Sequence, residues 1–281
     1  MPELPEAETI VRGLRSAVVG ERIRRTRVLH PDVLREARRT FGARLRGRQI
    51  VGVERRGKNV IHRMDDGSVL AVNLGMTGRL LPFAVPPRGS ARPTHPAVRF
   101  SFESGGTLIF DDQRRFGTVE RMSGEAWEHR SARMGPEPLD PSFTAEDLHQ
   151  LLARSRSPVR SWLLDQRRIA GVGNIYAAEA LYLAGIHPAR PANRITLPEA
   201  HRLHERLRRV LRAAIDQGGT TIRDYRNAEG EAGTYGRRLH VYGREGEPCP
   251  ACGTPVLRIV FSNRSAFFCP SCQPGPRRPR V

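Results

Sequence analysis

The chain has 281 residues, with 47 basic and 29 acidic side chains, a formal net charge of +18 and a pI of about 11.3. Its length predicts two domains plus a small module, and so basic a globular protein usually binds a polyanion, most often nucleic acid. A long apolar run and a basic-then-apolar leader are both missing, which argues against a membrane protein and predicts a cytoplasmic, nucleoid-associated protein of a bacterium.

The first six residues, MPELPE, contain a candidate nucleophile. Removal of Met1 would leave Pro2 with a secondary amine, whose pKa of about 7.7–8.0 keeps a fraction unprotonated near neutral pH. Such amines attack carbonyl carbons and give Schiff bases, and Glu3 and Glu6 could move the protons that this chemistry needs. The alternative is that the prolines and acids only begin a helix, and these six residues by themselves favour that alternative.

The basic residues are almost all of one type, because 46 of the 47 are arginine and Lys58 is the single lysine. Arginine keeps its proton under ordinary conditions, whereas a lysine ammonium can lose it. Lys58 is therefore a candidate for proton transfer. Chance survival of one lysine is an equally good explanation from composition alone.

The N-terminal half is predicted to be a helix followed by antiparallel strands. Residues 5–18 place apolar side chains on one helical face and are followed by Gly20. Short alternating runs and Asp-Gly or Gly-Gly turns then predict a sandwich or barrel. The predicted strands are 49–53, 60–64, 69–74, 98–102 and 107–110. Residues 82–96 are proline-rich and are predicted to form a mobile loop.

The C-terminal half changes to a helical period after Gly135-Pro136-Glu137-Pro138. A capping box at 144–147 begins one helix, and residues 158–165 and 174–184 predict two more. A long helix follows 196–199 and ends at Gly218-Gly219. The glycine-rich stretch 227–236 is predicted to be a flexible loop.

Four cysteines, the only ones in the chain, have the spacing C-x2-C-x16-C-x2-C. This spacing predicts one structural Zn²⁺, because four thiolates close the tetrahedral shell of the ion. Two disulfides are the alternative, and a cytoplasmic chain disfavours them. The ligands are Cys249, Cys252, Cys269 and Cys272. The strand-like runs 255–261 and 266–268 between the pairs predict a hairpin that presents Arg264 at its tip, where a guanidinium suits phosphate.

Three further motifs are weak signals when each is taken alone. Gly171-Val172-Gly173-Asn174 would leave amides at a helix start, where phosphate binds, although glycine turns between packed helices are common. Asp112–Gly117 sets two arginines beside Phe116, and Leu74–Gly78 places Met76 between glycines. Arginine on phosphate with an apolar wedge is how base-extruding proteins hold a duplex open, but core packing is the commoner role of each apolar residue.

Taken together, these motifs resemble the bacterial formamidopyrimidine-DNA glycosylase family. The resemblance runs from Pro2 to about Gln273, in the order that the family has. The matching stretches are PELPE at the N-terminus, RRGK at 55–58, LGMTG at 74–78, RRFG at 114–117, GVGNIYA at 171–177 and the four-cysteine finger.

The resemblance implies an α+β fold. An antiparallel β-sandwich with a leading helix occupies residues 1–135, a helix-two-turn-helix domain 136–235 and a zinc-finger hairpin 240–274. Residues 275–281 lie beyond the resemblance, and their basic composition predicts a disordered tail. The resemblance also implies a bifunctional DNA glycosylase and abasic-site lyase that acts as a monomer on damaged double-stranded DNA, excising oxidised purines (8-oxoguanine, formamidopyrimidines) and then cutting the strand by β,δ-elimination. No nucleotide cofactor is expected, because the sequence has no Walker loop and no dinucleotide fingerprint.

The family's functional residues map onto this chain by motif. The resemblance makes Pro2 the nucleophile, Glu3 the acid that helps to open the sugar, Glu6 a supporting carboxylate and Lys58 the β-elimination lysine. Arg264 is linked to δ-elimination, and we interpret it chiefly as a phosphate clamp, since guanidinium is a poor base. The implied DNA contacts are His95, Arg114, Arg156, Asn174, Met76 and Phe116.

Three positions depart from the family pattern. Gln113 replaces a usual proline, so the loop that holds the wedge is expected to be looser, whereas Ala7 in place of valine is expected to matter little. The basic cluster before the second helix is Arg154-Ser155-Arg156, which leaves its DNA contact open between the two arginines.

Two alternatives remain at this stage. An endonuclease VIII-type relative would use the same chemistry on oxidised pyrimidines, and Leu4 and the RRFG match favour the purine enzyme over it. A non-catalytic zinc-finger DNA-binding protein would not need Pro2, Glu3 or Lys58.

Overall fold

The computed structural model describes residues 2–87, 89, 93–222, 225–228, 230–261 and 264–275. The chain forms two compact units. The first contains Met1–Arg133 and Ile215–Gly236, and the second contains Met134–Ala214 and Arg237–Val281. Within the described ranges, none of the helices combines the length and apolar character that a membrane span requires.

The first unit contains helix α1 (Leu4–Val18), two four-stranded antiparallel sheets and two shorter helices, α2 (Arg38–Leu45) and α3 (Gly124–Ala132). The strands are β1 (Ile23–Val28), β2 (Ile50–Arg56), β3 (Asn59–Met64), β4 (Val69–Asn73), β5 (Arg79–Phe83), β6 (Pro96–Phe102), β7 (Thr107–Asp111) and β8 (Thr118–Met122). Sheet I has the order β1-β6-β7-β5 and sheet II the order β2-β3-β4-β8.

One hydrophobic core joins the two sheets and α1, which confirms the predicted sandwich with a leading helix. Phe100 and Phe110 from sheet I and Val60 and Val72 from sheet II belong to it. Alternate side chains of a strand point to opposite faces, so this core takes one face of sheet II. The other face is covered by Trp127 of α3.

The described part of the second unit contains four α-helices and the finger hairpin, and the last two residues of the fourth helix belong to the segment 215–236. The helices are α4 (Ala145–Ala153), α5 (Val159–Leu164), α6 (Asn174–Ala184) and α7 (Leu197–Asp216). The hairpin pairs β9 (Leu257–Phe261) with β10 (Arg264–Phe268), so that Arg264 lies opposite Phe261. Gly185 ends α6 in the left-handed conformation, with φ of 69°, as expected for a helix C-cap.

Several sequence-based boundaries were wrong. The helix α2 lies in the region where only strands were predicted, and β1, β5, β8 and α3 were not predicted. The proline-rich loop begins later than expected, because Pro82 lies in β5 and pairs with Leu108. β5 is an edge strand, where a proline does not interrupt the ladder.

The segment 215–236 packs in the first unit, although the predicted helical domain 136–235 included it. Its Tyr225 and Ala228 lie in the sandwich core, which explains the difference. The predicted basic tail at 275–281 lies outside the described residues except for Gly275, and residues 262 and 263 of the finger turn also lie outside them.

Candidate active site and nucleic-acid interface

The predicted catalytic residues Pro2 and Glu3 lie at the start of α1 and are buried, with Glu3 only 1% exposed. The Glu6 carboxylate, which is fully buried, accepts a hydrogen bond from the Glu3 amide at 2.7 Å through Oε2. Its Oε1 accepts another from the Thr220 amide at 2.8 Å. Glu6 therefore fixes the backbone at Glu3 and ties it to the segment 215–236.

Lys58 lies in the two-residue turn that joins β2 to β3, and it is half-buried. Gly57 precedes it with φ of 57°, a conformation that glycine adopts without strain. The Arg55 guanidinium donates to the Gly57 carbonyl at 3.0 Å and pairs with Glu8 of α1 at 3.1 Å. Arg55 thus connects the lysine turn to the helix that begins at the candidate nucleophile.

A ladder of amide side chains connects the lysine turn with the loop after β4. Asn59 Nδ2 donates to the Arg56 carbonyl at 3.1 Å, and Asn73 Nδ2 donates to Asn59 Oδ1 at 3.0 Å. The Gly75 amide then donates to Asn73 Oδ1 at 3.0 Å. Asn59 and Asn73 are direct cross-strand partners, so the ladder fixes the loop that carries Met76 relative to the turn that carries Lys58.

The buried carboxylate of Asp112 joins two neighbouring loops. Its Oδ1 accepts from the Thr77 hydroxyl at 2.5 Å and its Oδ2 from the Gly117 amide at 2.8 Å. Thr77 Oγ1 in turn accepts from the Arg114 amide at 3.0 Å. Glycine is required at 75, because a Cβ there would lie 2.4 Å from the Gly117 nitrogen. Together these contacts bring the Met76 loop and the RRFG loop side by side.

The tips of these loops expose apolar side chains. Met76 is 38% exposed and Phe116 is 58% exposed, while the Arg114 guanidinium lies 4.6 Å from the Phe116 ring centroid. Arg115 adopts a positive φ of 54° and pairs with Asp32 at 2.9 Å. Met76 and Phe116 are exposed apolar side chains on loops whose backbone is fixed by hydrogen bonds, and Arg114 lies beside them. Such side chains are suited to enter a base stack.

We expect Asp112→Asn to destabilise the first unit by about 1–3 kcal/mol, because an amide group cannot accept both hydrogen bonds and leaves a buried donor unsatisfied. Chemical denaturation followed by tryptophan fluorescence would measure the change. Asp32→Asn is the matched control, since this 53% exposed carboxylate pairs with the same loop, and surface ion pairs contribute about 0–1 kcal/mol. Equal effects of the two substitutions would contradict the role of Asp112.

His95 lies at the edge of a cavity of about 200 Å³ in the first unit. The buried Asp111 accepts from the His95 amide at 2.6 Å and pairs with Arg79 at 2.5 Å, which fixes the backbone that carries the imidazole. The other lining residues are Thr77, Thr94, Gln113 and Arg226. Two arginines, Arg79 and Arg226, against one acid, Asp111, give this cavity a net positive charge suited to phosphate.

In the second unit the structure brings Asn174 to the finger hairpin. Asn174 is the first residue of α6, and its Nδ2 donates to the Ser265 carbonyl at 3.0 Å. Arg264 is the neighbour of Ser265 on β10 and is exposed. Arg156 is exposed on the connection between α4 and α5, and no contact connects it with Asn174 in the described part of the chain.

The four cysteines converge on one point, with their Sγ atoms all within 4.8 Å of one another. The distance between sulfur atoms is 3.8 Å for Cys249 and Cys272, 3.5 Å for Cys252 and Cys269, and 3.6 Å for Cys252 and Cys272. A tetrahedron with metal–sulfur bonds of about 2.3 Å has edges near 3.8 Å, whereas a disulfide would need about 2.05 Å. This geometry suits one four-coordinate metal ion and leaves no ligand position open.

A buried acid, Glu179 of α6, attaches the segment that leads into the finger. Its carboxylate accepts from the amides of His240, Val241 and Tyr242 at 2.8, 3.0 and 3.0 Å, and from His240 Nδ1 at 2.8 Å. None of the sequence motifs indicates the supporting roles of Glu179, Asp112 and Arg55. An acid between apolar helix residues was the one available signal for Glu179.

Comparison with known proteins matches three parts of the chain to domains that are found in the family that the motifs resemble. Residues 1–119 match the formamidopyrimidine-DNA glycosylase N-terminal domain, residues 134–226 the H2TH domain of the same glycosylase, and residues 246–275 a zinc finger found in FPG and IleRS. A formamidopyrimidine-DNA glycosylase from Nocardioides sp. is 44% identical, and the match covers 100% of this chain and 97% of the relative. One from Thermomicrobium roseum is also 44% identical, and the match covers 98% of this chain and 99% of the relative.

Solved structures agree. A Lactococcus lactis FPG mutant bound to DNA containing Fapy-dG superposes with a TM-score of 0.90 at 33% identity, covering 98% of this chain and 100% of that one. The Lactococcus lactis Fpg bound to DNA with an abasic site gives 0.89 at 34% identity, covering 97% and 100%. The chain belongs to the formamidopyrimidine-DNA glycosylase family, a class of zinc-finger DNA-repair glycosylases.

Proposed function

We propose that this chain excises oxidised purines, such as 8-oxoguanine and formamidopyrimidines, from double-stranded DNA and then nicks the strand by β,δ-elimination. The observation that carries the proposal is the start of α1, where Pro2 and Glu3 are buried and Glu6 accepts from the Glu3 and Thr220 amides. The Glu3–Glu6 bond belongs to the capping box of α1, but full burial of Glu6 and its second bond, from the distant Thr220 amide, go beyond what a helix cap needs. The relatives named formamidopyrimidine-DNA glycosylase, and the Lactococcus lactis structures that contain Fapy-dG or abasic-site DNA, support the proposal.

The proposed chemistry begins after removal of Met1, when the Pro2 amine attacks C1′ of the sugar, the bond to the damaged base breaks, and the base takes up the proton that the amine loses. Glu3 then donates a proton to the ring oxygen O4′, the C1′–O4′ bond breaks, and an iminium forms between Pro2 and C1′. The iminium acidifies the C2′ proton, which is transferred to Lys58, the lysine assigned to β-elimination, as the 3′ phosphate leaves. A second elimination then releases the 5′ phosphate. These reaction steps involve no net oxidation or reduction, so no redox cofactor is required.

The remaining residues would bind and deform the DNA. The extruded nucleotide leaves a gap in the stack, which Met76, Arg114 and Phe116 would fill. Asn174 and Arg264 would hold the phosphates that flank it, and His95 and Arg156 would contact the backbone further along. The metal held by the four cysteines is proposed to be one Zn²⁺ with a structural role, because thiolates are its preferred ligands in closed sites.

The decisive experiment is a nicking assay on two matched duplexes, one with a single 8-oxoguanine and one with a single thymine glycol. Cleavage of the 8-oxoguanine strand in preference supports the proposal. Preference for thymine glycol would instead indicate an endonuclease VIII-type specificity. Binding to both duplexes without any nicking would indicate a non-catalytic DNA-binding protein.

Lys58 can be tested separately from DNA binding. Lys58→Arg keeps the positive charge in the β2–β3 turn but removes the proton that lysine can transfer. We expect base excision and cleavage at a pre-formed abasic site, which needs the elimination assigned to Lys58, each to slow by about 10²-fold or more, the usual size of a general acid–base contribution, while DNA affinity changes much less. Single-turnover kinetics on the two substrates would measure both steps, and unchanged rates on both would show that Lys58 has no catalytic role.

A further inference from the structure

The most unusual charge in the second unit is Arg160 of α5, which is 2% exposed. Its Nη2 donates to Asn174 Oδ1 at 2.7 Å and to the Ser265 carbonyl at 3.1 Å. Asn174 Nδ2 donates to the same carbonyl at 3.0 Å. Arg160, Asn174 and Ser265 therefore form a closed triangle of hydrogen bonds between two helices and the finger hairpin.

Arg160 forms no ion pair with a carboxylate anywhere in the described part of the second unit. Its Nε is buried without a hydrogen-bond partner, and the guanidinium also lies 5.6 Å from the Phe261 ring centroid. Burial, and after it the nearby charge of Arg264, lowers the pKa of Arg160. A buried cation with no counter-ion is costly, and the neighbouring exposed cation, Arg264, adds to this cost. An anion that binds at this position would relieve both.

The triangle also determines which atoms Asn174 can offer. Because its Oδ1 accepts from Arg160, the amide is held with its nitrogen as the outward donor group, and one of the two N–H bonds goes to Ser265. The second N–H remains available as a donor to a phosphate oxygen. If the amide were free to rotate, its oxygen could face the phosphate, and the two acceptors would repel each other.

We propose that Arg160 is a positioning residue of the DNA site, which orients the Asn174 amide toward a phosphodiester and supplies the buried positive charge that this phosphate neutralises. The proposal rests on the function proposed above. By holding the Ser265 carbonyl, Arg160 also fixes the residue next to Arg264, so that Asn174 and Arg264 are presented as one unit. The ligand is a DNA phosphate, and Arg160 acts on it through Asn174 and through its charge.

Two substitutions separate these two effects. The probe is a duplex with a tetrahydrofuran abasic site, which binds but cannot be cleaved. Arg160→Met removes the charge and the triangle, and we expect about 30- to 100-fold weaker binding, the cost of truncating one partner of a buried charge contact. The slope of log K against log salt should also become shallower by about 0.9, the contribution of one neutralised phosphate. Arg160→Lys should keep the slope and lose about 5- to 10-fold in affinity through the disturbed amide.

A double-mutant cycle tests whether Arg160 acts through Asn174. In an Asn174→Ala background, the cost of Arg160→Lys should fall to less than about twofold, because contacting residues are not additive. The matched control is Arg167→Met, an 83% exposed arginine of the same unit that pairs with Asp165, which should change affinity by less than about twofold. Zinc content and thermal unfolding identify any variant that has lost the finger. If the Arg160→Met protein has lost the finger, Arg160→Lys and its double-mutant cycle with Asn174→Ala still test the proposal.

Equal costs of Arg160→Lys in both backgrounds, or an unchanged salt slope in a folded Arg160→Met protein, would overturn the proposal. These results differ from a failure of the proposed function itself. In that case the unsubstituted protein would not prefer the tetrahydrofuran duplex to an undamaged one, whatever the variants did.

Discussion

One extra residue in front of Pro2 is expected to reduce strand nicking by at least about 10³-fold, a loss of the order seen when enzymes lose their nucleophile. The added residue converts the Pro2 amine into an amide, whose nitrogen lone pair is delocalised and cannot attack carbon. Borohydride, which reduces the proposed iminium to a stable amine, should then no longer attach the protein to DNA. Gel electrophoresis of the nicked strand and of the trapped adduct measures both effects.

Because Pro2 is buried, an added residue could also disturb the start of α1, so a second variant is needed. Pro2→Gly keeps a free amine but makes it primary, and we expect trapping to fall sharply without disappearing. Binding to a tetrahydrofuran duplex should persist in both variants, since Asn174, Arg264 and the finger are unchanged. Trapping that survives the blocked terminus would mean that another amine reacts, and Lys58 is the only lysine in the chain. Peptide mapping of the adduct would identify it.

Cys269→Ser is expected to remove the metal and unfold the finger, because in small zinc modules the metal supplies most of the folding free energy, about 10–16 kcal/mol. Cys269 is fully buried, and the buried cluster around it is small, with Ala178, Tyr182, Val241, Cys249 and Val256 as its other members. Affinity for damaged duplex should fall by at least about 10²-fold, since the finger carries Arg264 and holds Asn174. Metal analysis, circular dichroism and DNA binding measure the three effects.

The control for this substitution is Ser271→Ala, an exposed position in the same turn that should retain the metal and the affinity. The sandwich of the first unit should stay folded in the Cys269→Ser protein and resist proteolysis. Purified wild-type protein that contains no zinc, prepared without chelators, would contradict the metal assignment. A folded, zinc-free Cys269→Ser protein that binds DNA normally would contradict the role of the finger.

The parts of the structure that were predicted from sequence are those with local signals. The metal site depends on a cysteine spacing within 24 residues, and α1 has a continuous apolar face. By contrast, α2 and α3 were missed because they bury few side chains: Phe41 and Leu45 in one, and Trp127 in the other. So few buried positions produce no helical period in the sequence.

The supporting residues of the site were missed for a different reason. The Glu6–Thr220 contact joins positions 214 residues apart, and the contact between Arg160 and the Ser265 carbonyl joins positions 105 apart. Nothing near Glu6 or Arg160 in the sequence indicates these partners. The motifs therefore predict the side chains that are proposed for the chemistry, whereas the groups that orient them are defined only by tertiary packing.

The sandwich core includes Tyr225 and Ala228, and Thr220 donates a hydrogen bond to Glu6. These three residues are synthesised long after most of the first unit. Residues 2–133 leave the ribosome about 100 residues before these partners, which corresponds to roughly 5–20 s of translation. During that interval the nascent sandwich has a gap in its core and a buried carboxylate that lacks one donor. We therefore expect the first unit to complete its folding late, after most of the second unit has been made, and a chain truncated after residue 133 to be prone to aggregation.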